Sequence, residues 1–577
     1  MIKEQIIKDL EDVLRSIDLE YEKIDLEHPA QEVHGDYATN LVLGLWGKRK
    51  KEEWESQGFA KPVDLAEKVA ECYRAKSKPY LAKIEVAGPG FINFWLSEEF
   101  LVGAITQIAR EGENFGNSQI ESEAVMVEFA HPNTHKAFHL GHLRNITTGE
   151  AIARILGSQG FKVFRTNYQG DIGLHVAKCL WGVRKKIATE GIRLEDLKTL
   201  EEKIKFLSEA YVLGNKNYDD SPDVRKEIEE LNLKIYQKSE EIASLWQETR
   251  DWSLEYFDRI YQEVDVKFDR LYFESEMADL GKKLVLEYLR KGVFEESEGA
   301  IIFPGEKYDL HNRVFLNSRG LPTYEAKDLA LAQKEFNEFP IGRCLHVVGP
   351  EQRGYFDVLF KALEFIDPKI AKGECHLMYG WVRLKTGKMS SRSGEVVLGE
   401  WLLNEVKSKL KETYQMTEET AELVSVGAVK YSFLKVGLLR EISFDIDESI
   451  SLEGNSGPYL QYVNARIKSV LAKSSTSLGS GKIKVSKDLI NAEEMSLLRG
   501  LHRFPEVVQE AAGSYAPNLI CSYLFDLAQK FNLFYQKHPI LKANDSQRDF
   551  RLGLTAAVGQ VVENGLRLLG IAAPEKM

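Results

Sequence analysis

Apolar residues recur at helical spacing in the stretch MIKEQIIKDLEDVLRS, so residues 1–16 are expected to form an amphipathic helix. The next segment, HGDYATN (34–40), is polar and reads as a turn. A second amphipathic helix is expected around Val63 to Tyr73, and IEVAGPGFINFWLS reads as two strands around a Gly-Pro-Gly turn. Residues 1–115 thus predict a first, α/β domain.

After the polar break ENFGNSQIESE, the run AVMVEFA (124–130) reads as a buried strand, ended by Pro132 and Asn133. A helix is expected from about His139 through LRNITTGEAIARILGSQG, stopping at Gly157 or Gly160, and KVFRTNYQGD restores a strand and a turn. Strand, loop, helix and strand within some forty residues make a βαβ unit, which predicts a parallel, doubly wound, Rossmann-like sheet. Residues 185–265 alternate charges with Leu and aromatic positions and predict a helical insertion. Strand and helix patterns return from Ala300 to Val397, bounding a second domain of 116–400. From Trp401 the pattern is helical to residue 577, broken mainly by the linker-like SSTSLGSG (474–481).

Composition narrows the class. A chain of 577 residues exceeds what one core serves, and 44% apolar with 28% charged residues is that of an ordinary globular protein. No run approaches a membrane span, and residues 1–16 carry acids that suit neither a signal nor a transit peptide. The cysteines Cys72, Cys179, Cys344, Cys375 and Cys521 are scattered, which argues against zinc and disulfides and for the cytoplasm. The net charge is −12, yet residues 456–577 hold fifteen Lys or Arg against ten Asp or Glu. A basic end on an acidic body suits a polyanionic partner, and on charge alone it suits a solvated helical surface with a slight excess of Lys equally well.

Two motifs carry chemistry. His139-Leu140-Gly141-His142 stands where the first strand hands over to its helix. Its imidazoles share one face, Gly141 leaves room for a flat base, and the helix N-terminus favours phosphate. The second is Lys385-Thr386-Gly387-Lys388-Met389-Ser390-Ser391-Arg392, a cationic loop with hydroxyl side chains that can close over a triphosphate. Each has an ordinary alternative, a helix cap with surface histidines and a basic surface loop.

Together the motifs resemble the two signatures of class I aminoacyl-tRNA synthetases. The runs VEFAHPNTHKAFHLGHLRN, TNYQGDIGLHV, TYEAKDLA and EGNSGPYLQYVNARI resemble the arginyl-tRNA synthetase family in particular. HGDYATN and VAGPGFINF resemble its N-terminal domain, and ENGLRLLGIAAPEKM the end of its anticodon-binding domain, so the likeness runs over essentially the whole chain. The resemblance implies a ligase that uses ATP with Mg²⁺, L-arginine and tRNA(Arg) and needs tRNA for activation; a monomer is expected, though nothing in the sequence fixes the oligomeric state. It implies that 1–115 contacts the tRNA body and that the helices of 401–577 include the anticodon-binding domain.

It also implies site residues. His139, Leu140, Gly141, His142, Lys388, Met389, Ser390 and Ser391 hold ATP, with His139, His142, Lys388, Lys136 and Arg392 catalytic. Arginine falls to Glu128, Asn133, His142, Tyr324, Asp328 and Gln352. Guanidinium is a planar cationic fork of donors, so carboxylates suit it, and Tyr324 and Asp328 lie one helical turn apart. Two positions depart from the family pattern. Ala130-His131 stands where a hydroxyl-rich pair is usual, and Ser391 where a second lysine often stands, leaving Arg392 or Lys136 to supply that charge. A small-molecule nucleotidylyltransferase and a non-catalytic tRNA-binding relative are the rival readings. The large helical C-terminal region argues against the first, and the retained His139, His142 and Lys388 against the second.

Overall fold

The computed structural model describes residues 2–118, 121–385, 397–474 and 490–577. The chain forms two compact units: Met1–Gly116 with Val463–Val507 and Tyr523–Asn564, and Asn117–Tyr462 with Val508–Ser522 and Gly565–Met577.

In the first unit the helix Ile2–Ser16 buries Ile6, Leu10, Val13 and Leu14, the stripe its periodicity gives. Strands β1 (Tyr37–Thr39), β2 (Leu81–Ala87) and β3 (Phe91–Leu96) form an antiparallel sheet in the order β1-β3-β2. The segment HGDYATN is therefore a strand with its lead-in, not only a turn. All three residues of β1 are buried, and Gly35 turns the chain into it at φ 95°, where a Cβ would meet the Phe94 carbonyl oxygen at 2.6 Å. Its polar neighbours serve buried bonds. Asp36 accepts from the Leu96 amide at 2.7 Å and pairs with Arg499 at 2.9 Å, and Glu506 accepts from His28 and Tyr37. A three-residue strand flanked by such residues shows no alternation to read.

The second unit is built on a parallel sheet of β4 (Ala124–Glu128), β5 (Lys162–Gln169) and β6 (Arg270–Phe273), with β10 and β11 to follow. Between β5 and β6 the chain runs through the helices Leu174–Glu190, Leu200–Asp220, Pro222–Tyr236 and Glu240–Glu263, the expected insertion. After β6 comes a small antiparallel sheet of β7 (Glu295–Ser297), β8 (Ala300–Phe303) and β9 (Arg313–Leu316). Strands β10 (Arg343–Val348) and β11 (Glu374–Met378) complete the large sheet in the order β11-β10-β4-β5-β6. The chain goes from β4 outward to β6 on one side and from β10 to β11 on the other. The strand order thus reverses between β4 and β10, and a ligand crevice is expected beyond their carboxyl ends.

The helix Leu140–Ser158 follows β4 and is buried on nearly every side. Gly149 lets it touch the loop after β4, since a Cβ there would lie 2.2 Å from the Phe129 ring. Beyond Trp401 the structure is helical, with one correction. Strand β12 (Val382–Leu384) pairs in parallel with β13 (Ile442–Phe444), which lies inside the region expected to be all helix. Three residues are too few to interrupt a helical pattern visibly.

Candidate active site

The crevice at the β4–β10 switch is a cleft of about 950 Å³. Glu128, Asn133, His139, Leu140, Gly141, His142, Tyr324, Asp328 and Gln352 all line it. Lys136 does not. Its ammonium sits 5.4 Å from the centre of the Tyr211 ring, on the helical insertion. Lys388, Met389, Ser390, Ser391 and Arg392 lie outside the described residues.

At one end, His139 caps the helix Leu140–Ser158. Its Nδ1 accepts from the His142 amide at 3.3 Å, and the His142 Nδ1 accepts from the His139 amide at 3.2 Å. An accepting Nδ1 carries no proton, so in a neutral ring the proton is on Nε2. The rings stack with centroids 3.7 Å apart, and a Cβ on Gly141 would press on the His139 ring at 3.0 Å. Burial lowers the pKa of both, helped at His139 by Lys136 and at His142 by His139. Two neutral imidazoles therefore present Nε2–H donors, an arrangement suited to phosphate oxygens.

The loop from Ala130 to His135 holds Asn133 in place. Ala130, His131 and His135 have φ of 80°, 49° and 62°, a conformation costing non-glycine residues about 1–3 kcal/mol each. Its bonds over-determine it. The Ala130 amide donates to Asn145 Oδ1 at 2.6 Å, that of His131 to Asn167 Oδ1 at 3.2 Å, and that of His135 to Ser253 Oγ at 3.0 Å. The departure at Ala130-His131 thus keeps an anchored loop through backbone donors.

The other end is acidic. Asp328, one turn after Tyr324 on the helix Tyr324–Glu338, accepts from the Tyr355 hydroxyl through Oδ2. Its Oδ1, Glu128 Oε2 and the Tyr168 hydroxyl are buried without a hydrogen-bond partner, all on the cleft wall. Burial, with Glu128 and Glu274 nearby, pushes the Asp328 carboxyl up to about 8. Glu128 stays lower. Its own burial is outweighed by His346, whose Nδ1 binds Glu128 Oε1 at 2.7 Å. Acceptors without donors, in a site that penalises their negative charge, call for a cationic ligand rich in N–H.

Models of known families match almost the whole chain. That of class I (R) tRNA synthetases, catalytic domain, matches residues 104–446. An arginyl-tRNA synthetase N-terminal domain matches 1–96, and a DALR anticodon-binding domain matches 460–577. The chain belongs to the arginyl-tRNA synthetase family. It is 36% identical to the arginine–tRNA ligase of Bdellovibrio bacteriovorus over 507 residues, 85% of this chain and 86% of that one. It is 33% identical to that of Treponema denticola over 578 residues, 96% and 95% of the two chains. The Thermus thermophilus arginyl-tRNA synthetase structure has the same fold, with a TM-score of 0.80 at 24% identity over 100% of both chains.

An arginyl-tRNA synthetase needs more than its signatures, and sequence reading missed several cleft residues. Tyr355 follows Gln352 by three positions, and Tyr168 lies inside the quoted TNYQGDIGLHV, so spacing on a helix and on a strand pointed to both. Arg313, a cleft cation paired with Glu325 at 3.1 Å, stood outside every motif. Cys344, His346 and Glu374 bring one potential ligand atom each within 4.8 Å of one another. Both nitrogens of His346 are already held by carboxylates, Glu128 and Glu374, so the cluster is a hydrogen-bonded one and no metal centre is assigned to it.

Proposed function

We infer that the chain joins L-arginine to tRNA(Arg) in this cleft, in two steps. The carboxylate of arginine attacks the α-phosphorus of ATP and pyrophosphate leaves, giving arginyl-adenylate. A hydroxyl of the terminal ribose of tRNA then attacks the adenylate carbonyl and AMP leaves. The observation carrying this reading is the pairing of orphaned acceptors at Asp328 and Glu128 with the stacked, neutral His139 and His142 at the other end. One end suits guanidinium, the other phosphate. Such catalysis is positioning plus electrostatics.

In this reading Glu128, Tyr324 and Asp328 receive the guanidinium, while Asn133 and Gln352 hold the α-amino and carboxylate groups beside His142. Leu140 and Gly141 support the nucleotide. The triphosphate is assigned to Lys388, Met389, Ser390, Ser391 and Arg392 of the second signature, and Mg²⁺ bound with ATP would share in neutralising its charge. Lys136 acts electrostatically on His139, whose proton affinity it lowers. Steady-state kinetics read these roles: Lys388→Ala should lower kcat more than it raises KM, and Lys136→Ala at the parent rate would make Lys136 a support for Tyr211 alone. Residues 1–115 contact the tRNA body, 116–400 catalyse, and the helices of 401–577 include those that read the anticodon. The family models named for those regions support this. The enzyme works as a cytoplasmic monomer. No helix among the described residues is long and apolar enough to cross a membrane. Incubating the protein with ATP, tRNA and each labelled amino acid tests the whole reading. Arginine alone should be transferred to tRNA, and transfer of another amino acid, or of none, overturns it.

A further inference from the structure

Beneath the acidic end of the cleft lies a buried cluster of which the two-step reaction uses only Glu128. His346 on β10 stands in register with Glu128 on β4. Its Nδ1 contacts Glu128 Oε1 at 2.7 Å and its Nε2 contacts Glu374 Oε2 on β11. Cys344, two residues before it, lies 3.9 Å from Glu335 of the helix Tyr324–Glu338. The Phe356 ring packs 5.3 Å from the imidazole and the Phe360 ring 6.1 Å. The side chains of Glu128, His346 and Glu374 are each less than a tenth exposed. Glu128 is the member that also lines the cleft, and its carboxylate has Glu335 as a second hydrogen-bonding neighbour.

We propose that His346 is a positioning residue for amino-acid selection: as an imidazolium clamped between Glu374 and Glu128, it fixes the Glu128 carboxylate and keeps it ionised, so that the carboxylate is offered to the guanidinium. This rests on the reading of Glu128 as a guanidinium acceptor. Three observations carry it. A buried carboxylate costs several kcal/mol unless it is paired, and His346 is the cationic partner in contact with Glu128. Two carboxylates on opposite nitrogens hold both N–H groups, which only the doubly protonated ring can donate. The charges agree. Burial would lower the His346 pKa, but the contacting carboxylates Glu374 and Glu128 hold it well above the usual value, while burial and Glu128 drive Glu335 toward its neutral form, from which it can donate to Glu128. The other titratable groups facing this cluster are Asp328 and Tyr168 on the cleft wall, both pushed up by burial, and two histidines, His131 in the loop after β4 and His376 on β11. Burial lowers the pKa of both histidines, so they stay neutral.

The test uses the full-length protein with tRNA and ATP, comparing His346→Gln, Glu374→Gln and Glu128→Gln with the parent. His346→Gln should raise KM for arginine about tenfold or more, with kcat and KM for ATP within about threefold. Without the imidazolium Glu128 should titrate upward. The kcat/KM for arginine should then fall off at a higher pH than in the parent and recover as pH rises. Glu374→Gln should shift KM and the profile in the same direction by less, and it stands in if His346→Gln does not fold. If Glu128→Gln raises KM while both other variants keep the parent's KM and pH profile, the clamp is overturned and the role of Glu128 stands. A pH-independent loss shared by arginine and ATP makes His346 merely structural and also overturns it. An unchanged KM in Glu128→Gln overturns the underlying reading itself.

Discussion

Asp328 sets the chemistry at the scale of single residues. One oxygen accepts from Tyr355 and the other is orphaned, so the group, once ionised, can take charge-assisted bonds from a planar guanidinium. Asp328→Asn keeps the shape and removes the charge. Breaking one partner of a desolvated pair costs on the order of 2–5 kcal/mol. The kcat/KM for arginine should therefore fall roughly 30- to 5,000-fold. Citrulline, the neutral isostere, should lose far less, and equal losses for both would make Asp328 a support for the pocket that does not read charge. The pKa of about 8 adds a pH dependence of definite sign. Below pH 8 the free enzyme carries a proton on Asp328 that the bound guanidinium must displace, so binding releases a proton. Affinity should rise with pH from about 6 and level off above about 8. Measured as KM for arginine across that range, the slope should vanish in Asp328→Asn. A parent KM independent of pH would show that Asp328 is already ionised without arginine.

At the scale of elements, the helix Leu140–Ser158 offers a matched pair of substitutions. Gly149→Ala drives a methyl into the Phe129 ring, an overpacking cost of about 1–3 kcal/mol. Gly157→Ala meets nothing nearer than Val163 at 4.0 Å, and its better helix propensity should stabilise by up to about 1 kcal/mol. Chemical denaturation followed by circular dichroism should move the two midpoints in opposite directions, and parallel shifts would deny the close contact. The same helix shows what the sequence made legible. Its start at His139, its length and the flanking strands followed from periodicity, because a long helix between two buried strands repeats its signal many times. Strands β1 and β13, three residues each, gave no repeat to read. The cleft residues found from sequence were those inside recognisable runs. Arg313 and the His346–Glu374 pair depend on strand register and helix packing, which place distant positions side by side without any local pattern.

At the scale of the whole molecule, arginine chemistry is joined to tRNA binding. The family's N-terminal and anticodon-binding domain models flank the catalytic one along the chain, and acceptors stand unpaired in the cleft. Bound tRNA is therefore expected to complete the arginine site before activation, an induced fit in which substrate binding assembles the catalytic geometry. Exchange of labelled pyrophosphate into ATP isolates the activation step. Run with arginine, lysine or citrulline, each with and without tRNA, it should give rapid exchange only when arginine and tRNA are both present. Exchange with lysine or citrulline as fast as with arginine would contradict the guanidinium pocket, and rapid exchange with arginine alone would contradict its completion by tRNA.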